Sequence, residues 1–397
     1  MTQTSMTQAG AGPVVGIVGG GQLARMLAEA ATPLGIHVRV LASPHDEGAV
    51  EVIPDFTLGS PDDASAIIEF AKTVDVLSFD HENVDHDALS QVERTKTAVR
   101  PGLGLLKIAD KAHQRSMFSQ AGLPVPEFLV MDADQDDALD QALRFSAKHA
   151  DDEGLIVLKA SRGGYDGRGV WMLRSEDLEA FLAEYSGAPL VLEPKLPLDL
   201  ELAVLVARSP SGEVAVWPVL ETVQVDGMCA EVFLPARISE GLAAQAEQIG
   251  QQVAELLEAV GVFAVELFVS SGELLINEIA PRVHNSGHVT IEASATSQFS
   301  QHLRAILDWP LGPTHSLQPA AVMVNVVGAE TGDPRDHQAA ALSAVPEAHL
   351  HLYGKASRPA RKIGHVTVTG ESLEQCRTSA ALAAAALSPR EGSLHDY

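Results

Sequence analysis

The chain has 397 residues, of which 53 are acidic and 27 are basic, so its formal net charge is −26. Such a surface repels polyphosphates, which excludes binding to nucleic acid or to an anionic membrane through a broad basic face. Apolar residues make up 46% of the sequence, which excludes a wholly disordered chain, and the length predicts two or three domains of roughly 150 residues each.

The chain start and the cysteines predict a protein that is neither exported nor bound in a membrane. We expect residues 1–13 to form a disordered extension, and they lack the basic start and apolar stretch of an export signal. No run of about 18 apolar residues occurs that could span a bilayer. Cys229 and Cys376 lie far apart in sequence, so neither a disulfide framework nor a zinc–cysteine site is expected. The predicted location is the cytoplasm.

The first domain is predicted over 14–112 as an α/β unit with a parallel sheet, because strand and helix patterns alternate there. Gly19, Gly20 and Gly21 join the first strand to its helix, where backbone N–H groups can hold a phosphate. A dinucleotide site would also need an acidic residue after the second strand, where Ser43 stands instead. Three interpretations stay open: a phosphate site for another ligand, a dinucleotide site, or a tight turn.

A second domain with an α+β pattern is predicted over 113–310, with a small lobe at about 124–192. A helix is expected from Asp110 to Ala121, where a glycine- and proline-rich segment ends it. Predicted strands cover residues 155–159, 170–173, 190–192, 201–207, 214–220, 262–268 and 274–279. Further helices are expected near 176–185 and 240–260.

A glycine-rich loop at 161–169 joins two of these strands. Lys159 ends the strand before it, and four glycines in nine positions allow the backbone to approach a ligand closely. The loop is not of the Walker A type, because it lacks Gly-Lys-Ser/Thr and leads into a strand. It has two interpretations of equal weight: a lid that folds over phosphates above Lys159, or a long hairpin turn with solvated arginines.

The strands around Ser271 and Gly272 form a predicted hairpin with acidic residues in apolar surroundings, Glu266 on one strand and Glu278, beside Asn277, on the other. A two-residue turn would place Glu266 opposite Asn277, whereas a three-residue turn would place it opposite Glu278. The second register puts both carboxylates on one face, where they require a cation and suit Mg²⁺ that bridges phosphates. Pairing of both acids with arginines such as Arg282 is the less favoured alternative.

The segment 281–288 is dense in hydrogen-bonding groups, and we interpret it as a substrate-binding loop. His284 and His288 have the four-residue spacing of a helical zinc site, but Gly287 argues against a helix and no HExxH glutamate is present.

A small third domain is predicted over 318–390, after a proline-rich linker at 310–319. Its strands are expected at 320–327, 349–353 and 363–368, and an alanine-rich helix at 373–387 closes it. A compact basic cluster in this domain favours a phosphate-binding site over a balanced ion-pair surface, and it comprises Lys355, Arg358, Arg361 and Lys362.

A resemblance to a known family spans almost the whole chain. Its segments are GGGQLARML at 19–27, IADK at 108–111, VLKASRGGYDGRG at 157–169, VLEPKL at 191–196, LLINEIAPRVHNSGH at 274–288 and RPARKIGH at 358–365. Together they resemble the N5-carboxyaminoimidazole ribonucleotide synthetases of purine biosynthesis, a family of ATP-grasp ligases. The resemblance implies an ATP-grasp fold of mixed α/β and α+β class, with a Rossmann-like N-terminal domain and a small C-terminal domain.

The family's reaction is implied as well. ATP, bicarbonate and 5-aminoimidazole ribonucleotide would give ADP, phosphate and the N5-carboxylated nucleotide, with bicarbonate activated as carboxyphosphate. Mg²⁺, these small-molecule substrates and a homodimer are the implied cofactor, ligands and assembly. The alternatives are another ATP-grasp ligase, such as a formate-dependent glycinamide ribonucleotide transformylase, and an NAD(P)-dependent oxidoreductase.

The resemblance also implies roles for single residues around ATP. Lys111 and Lys159 would contact its phosphates, Glu201 would hold its ribose, and Glu266 and Glu278 would bind Mg²⁺. Further nucleotide contacts are implied for Gly164, Tyr165, Asp166, Gly167, Arg168, Gly169, Val170, Glu193, Pro194, Lys195, Leu196, Gln224 and Asn277. Gln224 stands where some members carry a histidine, and its amide can still donate a hydrogen bond.

A second group of residues is implied for the aminoimidazole nucleotide. It comprises Gly21, Gln22, Leu23, Glu82, Tyr165, Asp166, Arg168, Arg282, His284, Lys355, Arg361 and Lys362, the last three at the phosphate. Catalytic roles are implied for Lys159, Arg282 and Asp166, and Asp166 would receive the proton of the amine.

Overall fold

Three β-sheets organise the residues that the structure, a computed structural model, describes: 12–43, 48–163, 169–329 and 332–388. Most of the predicted N-terminal extension and the end of the predicted third domain lie outside these residues. So do five residues predicted to bind substrates, which are Gly164, Tyr165, Asp166, Gly167 and Arg168.

The N-terminal unit is a parallel sheet with helices in its crossovers, as the alternating pattern predicts. Its elements are β1 (Val14–Val18), α1 (Gln22–Ala31), β2 (His37–Ala42), β3 (Phe56–Leu58), α2 (Ala64–Ala71), β4 (Val76–Phe79), α3 (His86–Val92), β5 (Ala98–Val99) and α4 (Leu103–Leu106). The strands lie in the order β3-β2-β1-β4-β5. The central strand β1 sends Ile17 and Val18 into different core clusters, which is the two-sided burial expected of a parallel sheet.

A smaller antiparallel sheet follows in the order β6-β9-β7-β8. The elements of this part are α5 (Lys111–Gln120), β6 (Leu129–Met131), α6 (Ala138–His149), β7 (Leu155–Ala160), β8 (Val170–Arg174), α7 (Leu178–Glu184) and β9 (Leu190–Pro194). Asp110 begins α5, because its carboxylate accepts the N–H groups of Ala112 and His113 at 3.0 and 3.2 Å.

The central sheet is formed by the rest of the chain. Its strands are β10 (Leu200–Arg208), β11 (Val214–Val216), β12 (Leu220–Val225), β13 (Met228–Leu234), β14 (Gly261–Ser270), β15 (Glu273–Ala280), β16 (Ala320–Val327), β17 (His349–Leu352) and β18 (Lys362–Gly370). Its helices are α8 (Glu240–Leu257), α9 (Thr290–Ala293), α10 (Gln298–Ile306), α11 (Gln338–Ala344) and α12 (Leu373–Leu387). The strand order is β15-β14-β10-β12-β13-β16-β18-β17, and β11 pairs with β10.

The C-terminal strands extend this central sheet. β13 pairs with β16, from Glu231 opposite Val324 to Leu234 opposite Ala321. The strands predicted at 320–327 and 363–368 are present as β16 and β18, yet their hydrogen-bonded ladder is continuous with that of β10–β15.

One predicted strand, 214–220, is wrong in its extent, because β11 ends at Val216 and β12 begins at Leu220. Pro218 between them has no N–H to give to a ladder. The indole of Trp217 is fully buried and donates to the carbonyl of Thr296 at 3.0 Å, which anchors the connection. The strand β13 was not predicted.

His302, on α10, joins the N-terminal sheet to the central one. Its Nδ1 accepts the N–H of Val262 at the start of β14, and its Nε2 lies 3.0 Å from Oγ of Ser78 on β4. Because Nδ1 accepts a backbone proton, Nε2 carries the ring proton and donates it to Ser78. Burial of the ring lowers the pKa of His302 from 6.5 to about 4.

We expect this histidine to make the fold acid-sensitive. A lowered pKa means that the contribution of His302 to stability is full above pH 6.5 and is lost as the pH falls towards 4. The free energy of unfolding in urea should therefore decrease by about 3 kcal/mol more in the natural protein than in His302→Gln between pH 7 and pH 4. Parallel pH curves for the two proteins would contradict this assignment.

Candidate active site

The hairpin of β14 and β15 brings two carboxylates face to face. Ser271 and Gly272 form a two-residue turn with φ values of 53° and 78°, so Ser270 pairs with Glu273. The register then shifts between Glu266 and Leu267, and Glu266 pairs with Glu278. Asn277 is therefore the extra residue of a β-bulge on β15.

This geometry corrects one premise of the sequence analysis. The turn is the two-residue one, which was expected to place Glu266 opposite Asn277. The bulge supplies the additional residue, so the paired carboxylates arise from a two-residue turn together with a bulge. Bulges commonly redirect side chains beside functional sites.

Each of the two carboxylates has its own cationic or imidazole partner. Nζ of Lys111, the first residue of α5, lies 2.6 Å from Oε2 of Glu278. Nε2 of His284 lies 3.0 Å from Oε1 of Glu266. Burial raises the pKa of Glu266, but the hydrogen bond from His284 and nearby charges, Lys111 among them, outweigh it and lower the pKa overall. Arg282 pairs with Glu82 instead, so the alternative of arginine partners for both acids is wrong.

Lys159, at the end of β7, belongs to a buried charge cluster beside this pair. Its Nζ lies 2.9 Å from Oδ1 of Asn277 and 2.7 Å from Oε2 of Glu193. Nε of Arg115 binds the other oxygen of Glu193 at 2.5 Å, and its Nη1 donates to the carbonyl of Ile276 at 2.9 Å. Burial opposes ionisation of Glu193, yet Lys159 and Arg115 lower its pKa to about 2. Glu193 is thus a permanent anion between two cations.

Arg115 was not among the residues predicted from the sequence. It follows Lys111 by four residues on α5, and the helical period places residues at that spacing on the same face. Lys111 was already predicted to contact the phosphates of ATP. The four-residue spacing from Lys111 is therefore the sequence signal that could have identified Arg115.

Glu201 and Gln224 lie on the face of the central sheet that carries Glu266. Ala203 pairs with Glu266, and Glu201 lies two residues earlier on β10, hence on the same face. Thr222 pairs with Glu201, and Gln224 lies two residues later on β12. Burial and the charge of Glu266 raise the pKa of Glu201 to about 7.

The residues after Glu193 are placed differently. Nζ of Lys195 lies 3.0 Å from a carboxylate oxygen of Asp151 and 3.0 Å from one of Glu153. Pro194 ends β9, and Leu196 lies two residues beyond that end. The side chain of Glu193 is already paired with Lys159 and Arg115. A ligand at the end of β9 could therefore be contacted by the backbone of this strand.

The glycine turn at 19–21 packs against the buried carboxylate of Asp80. Oδ2 of Asp80, which follows β4, accepts the N–H of Gly21 at 2.6 Å. A Cβ on Gly19, whose φ is +106°, would lie 1.7 Å from Oδ1 of Asp80, so only glycine fits there. This contact supports the tight-turn interpretation for Gly21, because its amide is already bonded. Asp80 was not among the predicted residues.

Of the two residues that follow this turn, Gln22 contacts the basic cluster of the C-terminal part and Leu23 is buried in the core. Oε1 of Gln22 accepts a hydrogen bond from Nζ of Lys355 at 2.6 Å, and that Nζ lies 5.7 Å from the centre of the Tyr353 ring. The structure thus brings together residues that are 333 positions apart in the chain.

The other predicted nucleotide-binding residues lie near these. Nε of Arg282 lies 2.8 Å from Oε2 of Glu82, and this contact lowers the pKa of Glu82 although burial raises it. Lys362 begins β18 and is near enough to Glu266 to lower its pKa. Arg361 donates from Nη1 to the carbonyl of Ala356 at 3.1 Å.

The described ends of the glycine-rich loop are held in place. The N–H of Ala160 donates to the carbonyl of Gly169 at 2.8 Å, and Val170 pairs with Lys159. Arg162 binds Asp110 at 2.6 Å, and the N–H of Lys111 donates to the carbonyl of Ser161 at 2.8 Å. The loop is therefore connected at its base to the start of α5.

The chemistry of the donors suits a hard cation. Among the described residues no group of three His, Cys, Asp or Glu side chains could hold a metal ion by itself. Glu266 and Glu278 are paired on one face, with the amide of Asn277 beside them. Mg²⁺ typically takes one or two carboxylates and completes its shell with waters and substrate phosphates, so this donor set fits Mg²⁺.

Comparison with known proteins agrees with the layout of the sheets. Family models match the ribonucleotide synthetase preATP-grasp domain at 13–110, the ATP-grasp domain at 116–299 and the phosphoribosylaminoimidazole carboxylase C-terminal domain at 321–379. The N5-carboxyaminoimidazole ribonucleotide synthase of Mycobacterium leprae (strain TN) is 42% identical, over 94% of this chain and 88% of its own length. The chain belongs to the N5-carboxyaminoimidazole ribonucleotide synthase family.

Relatives from other organisms and solved structures agree with membership of the N5-carboxyaminoimidazole ribonucleotide synthase family. The synthase of Synechococcus elongatus is 41% identical over 89% of both chains. The crystal structure of the N5-carboxyaminoimidazole synthase from Aspergillus clavatus, in complex with ADP and 5-aminoimidazole ribonucleotide, matches with a TM-score of 0.85. It is 31% identical and covers 95% of this chain and 99% of its own. The predicted family, ATP-grasp fold and ligase class are therefore confirmed.

No helix within the described ranges is both long enough and apolar enough to cross a membrane.

Arg115 should be important for the stability of this synthase-family fold. Arg115→Met leaves the buried anion Glu193 with Lys159 alone, and removal of one partner from a buried ion pair costs about 3–5 kcal/mol. We expect a decrease of that size in the free energy of unfolding in urea. Arg237→Met is the matched control, because Glu221 is equally buried but Arg237 itself is half exposed. Equal losses in both variants would contradict the importance of burial at Arg115.

Proposed function

We propose that this chain catalyses the ATP- and bicarbonate-dependent carboxylation of 5-aminoimidazole ribonucleotide to N5-carboxyaminoimidazole ribonucleotide. The observation that carries the proposal is the Glu266–Glu278 pair, with Asn277 between it and Lys159. This is a site for a polyphosphate and its cation in a chain whose net charge is −26. Family membership supplies the identity of the other two substrates.

The reaction proceeds in two steps. An oxygen of bicarbonate attacks the γ-phosphorus of ATP, the bond to the β-phosphate oxygen breaks, and carboxyphosphate and ADP form. The exocyclic amine of the aminoimidazole nucleotide then attacks the carboxyl carbon, and phosphate leaves with the electrons of the C–O bond. The amine loses one proton, so a base is needed.

The residues at the carboxylate pair would bind and orient ATP. Lys159 and Lys111 would bind the phosphates as cations, since each already faces an anionic or polar group at the pair. Glu266 and Glu278 would hold Mg²⁺, which when bound supplies positive charge at the phosphates. Lys111 would release Glu278 to do so. Glu201 would accept hydrogen bonds from the ribose, and the end of β9 would offer its backbone to adenine.

The 5-aminoimidazole ribonucleotide would bind beside Arg282 and the basic cluster of the C-terminal part. Arg282 and His284 come from the segment that follows β15, and Glu82 orients the guanidinium of Arg282. Lys355, Arg361 and Lys362 would bind its phosphate. We assign the proton of the amine to Asp166, on the strength of the family resemblance.

Assembly and location are part of this proposal. We propose a homodimer in the cytoplasm, as the resemblance implies, and light scattering of the purified chain would measure its mass in solution.

ADP formation should require both bicarbonate and 5-aminoimidazole ribonucleotide, as a coupled assay with each omitted in turn would show. Glu278→Gln removes a charge from the pair, and we expect a loss of about 100-fold in kcat, by analogy with the loss of one group that stabilises transition-state charge. Glu273→Gln, an exposed change on the same strand, is the control with unchanged activity.

Asp166→Asn with normal turnover would contradict its role as base, and ADP formation driven by formate would contradict the reaction.

Nucleotide affinity should depend on the ionisation of Glu201. Its pKa of about 7 means that the carboxylate is mostly ionised at pH 8 and mostly neutral at pH 6. If the ionised form binds the ribose, calorimetry with ADP in EDTA should show up to about tenfold weaker binding at pH 6 than at pH 8. Glu201→Gln should bind weakly at pH 8 and lose this part of the pH dependence. Identical pH curves for both proteins would remove Glu201 from the ribose site.

A further inference from the structure

Gln298, the first residue of α10, is fully buried, and its side-chain amide forms two hydrogen bonds with the backbone of His284. Its Oε1 accepts the N–H of His284 at 2.9 Å. Its Nε2 donates to the carbonyl of the same residue at 2.7 Å. One side-chain amide therefore occupies both backbone hydrogen-bonding groups of His284, as a neighbouring strand would.

These contacts fix the orientation of the amide. An oxygen must face the N–H of His284, so the nitrogen faces the carbonyl, and the amide cannot be turned over. The second hydrogen of Nε2 then points to Nδ1 of His288, 3.1 Å away. Nδ1 of His288 is consequently an acceptor. Burial lowers the pKa of His288 well below 6.5, in agreement with a neutral ring that accepts at this nitrogen.

The backbone of His284 matters because its ring lies at the carboxylate pair. Nε2 of the ring contacts Glu266 at 3.0 Å, and Nδ1 contacts Oγ of Ser286 at 2.9 Å. A ring held at both nitrogens can keep this position only if its backbone is also fixed. Gln298 provides that restraint from outside the site, because within the described part of the chain its side chain bonds to His284 and His288 and to neither acid.

The loop around Gln298 is closed tightly. The N–H of Gln298 donates to Oγ1 of Thr290 at 2.9 Å, and Thr290 donates to the carbonyl of Gly287 at 2.6 Å. A Cβ on Gly287 would lie 2.4 Å from Oε1 of Gln298, so glycine is required for the side chain to reach His284. The residues between His284 and Gln298 are thus folded around this one amide.

We propose that Gln298 is a positioning residue that orients His284 for binding of the aminoimidazole nucleotide. The inference rests on the proposed function, in which His284 contacts that nucleotide. It makes binding of the nucleotide depend on a buried amide that is not itself assigned to any of the three substrates.

The same helix contains a matched control. Gln301 is also fully buried, and its side-chain amide forms the same two hydrogen bonds, in this case with the backbone of Gly312. Nε2 donates to the carbonyl of Gly312 at 2.8 Å, and Oε1 accepts the N–H of Gly312 at 2.8 Å. Gly312 lies in the connection to β16, and no contact joins this amide to the described residues of the carboxylate pair.

The test compares Gln298→Glu with Gln301→Glu in the ADP-release assay. Each change puts a carboxylate oxygen against a backbone carbonyl, so both should lower the melting temperature. Only Gln298→Glu should raise the KM for 5-aminoimidazole ribonucleotide, by about tenfold or more, the factor for a lost hydrogen bond to a positioned group, with the KM for ATP within about twofold. If both variants change both KM values alike, the positioning role is overturned.

Two further measurements make the result decisive. In a His284→Ala background, Gln298→Glu should change the KM by no more than about twofold, because residues that act through one another are non-additive. A full tenfold effect there would overturn the proposal. Gln298→Met, which removes the hydrogen bonds without adding charge, replaces the first variant if that one does not fold, and is expected to raise the same KM.

Failure of this inference is distinguishable from failure of the proposed function. If the natural protein releases ADP without any dependence on the aminoimidazole nucleotide, the proposed function fails and the inference falls with it. If that dependence is present and the Gln298 variants match the Gln301 variant, the inference alone is overturned.

Discussion

Two carboxylates that face each other on neighbouring strands must be compensated by positive charge, and the site is built around this requirement. The pairing of Glu266 with Glu278 depends on the bulge at Asn277, since the turn by itself would place the two acids on opposite faces. Lys111 compensates one acid from α5, and His284 contacts the other from the loop after β15. Because the partners come from different segments, the acids also fix how those segments meet.

Charge is arranged in layers behind this pair. Lys159 lies between Asn277 and Glu193, and Arg115 lies behind Glu193. Arg115 shares the charge of Glu193, so Lys159 is not fully neutralised and can still attract an anion. The cluster of Lys159, Glu193 and Arg115 thus has one cation more than it has anions, in a chain with a net charge of −26, and its burial leaves that charge little screened by salt.

Local patterns were sufficient for much of the fold. The helix predicted at 373–387 is α12, and the strand–turn–helix at the chain start is β1 and α1, because periodicity and turn residues act over short distances. The sequence also identified both acids of the hairpin. It could not identify the bulge, since one added residue in a strand leaves no compositional trace, nor Asp80 and Gln298, whose partners lie far along the chain or are backbone atoms. The place of β16 beside β13 was hidden for the same reason, because strand pairing across about 90 residues depends on long-range packing.

The continuity of β13 with β16 has a consequence for how the protein forms on the ribosome. Until residues 320–327 have been synthesised, β13 presents its backbone N–H and C=O groups at an open sheet edge, next to apolar side chains such as Phe233. Open edges of this kind can pair with other chains. The last fifth of the chain therefore covers the open edge of the central sheet, and the nascent protein is exposed to aggregation until that cover is in place.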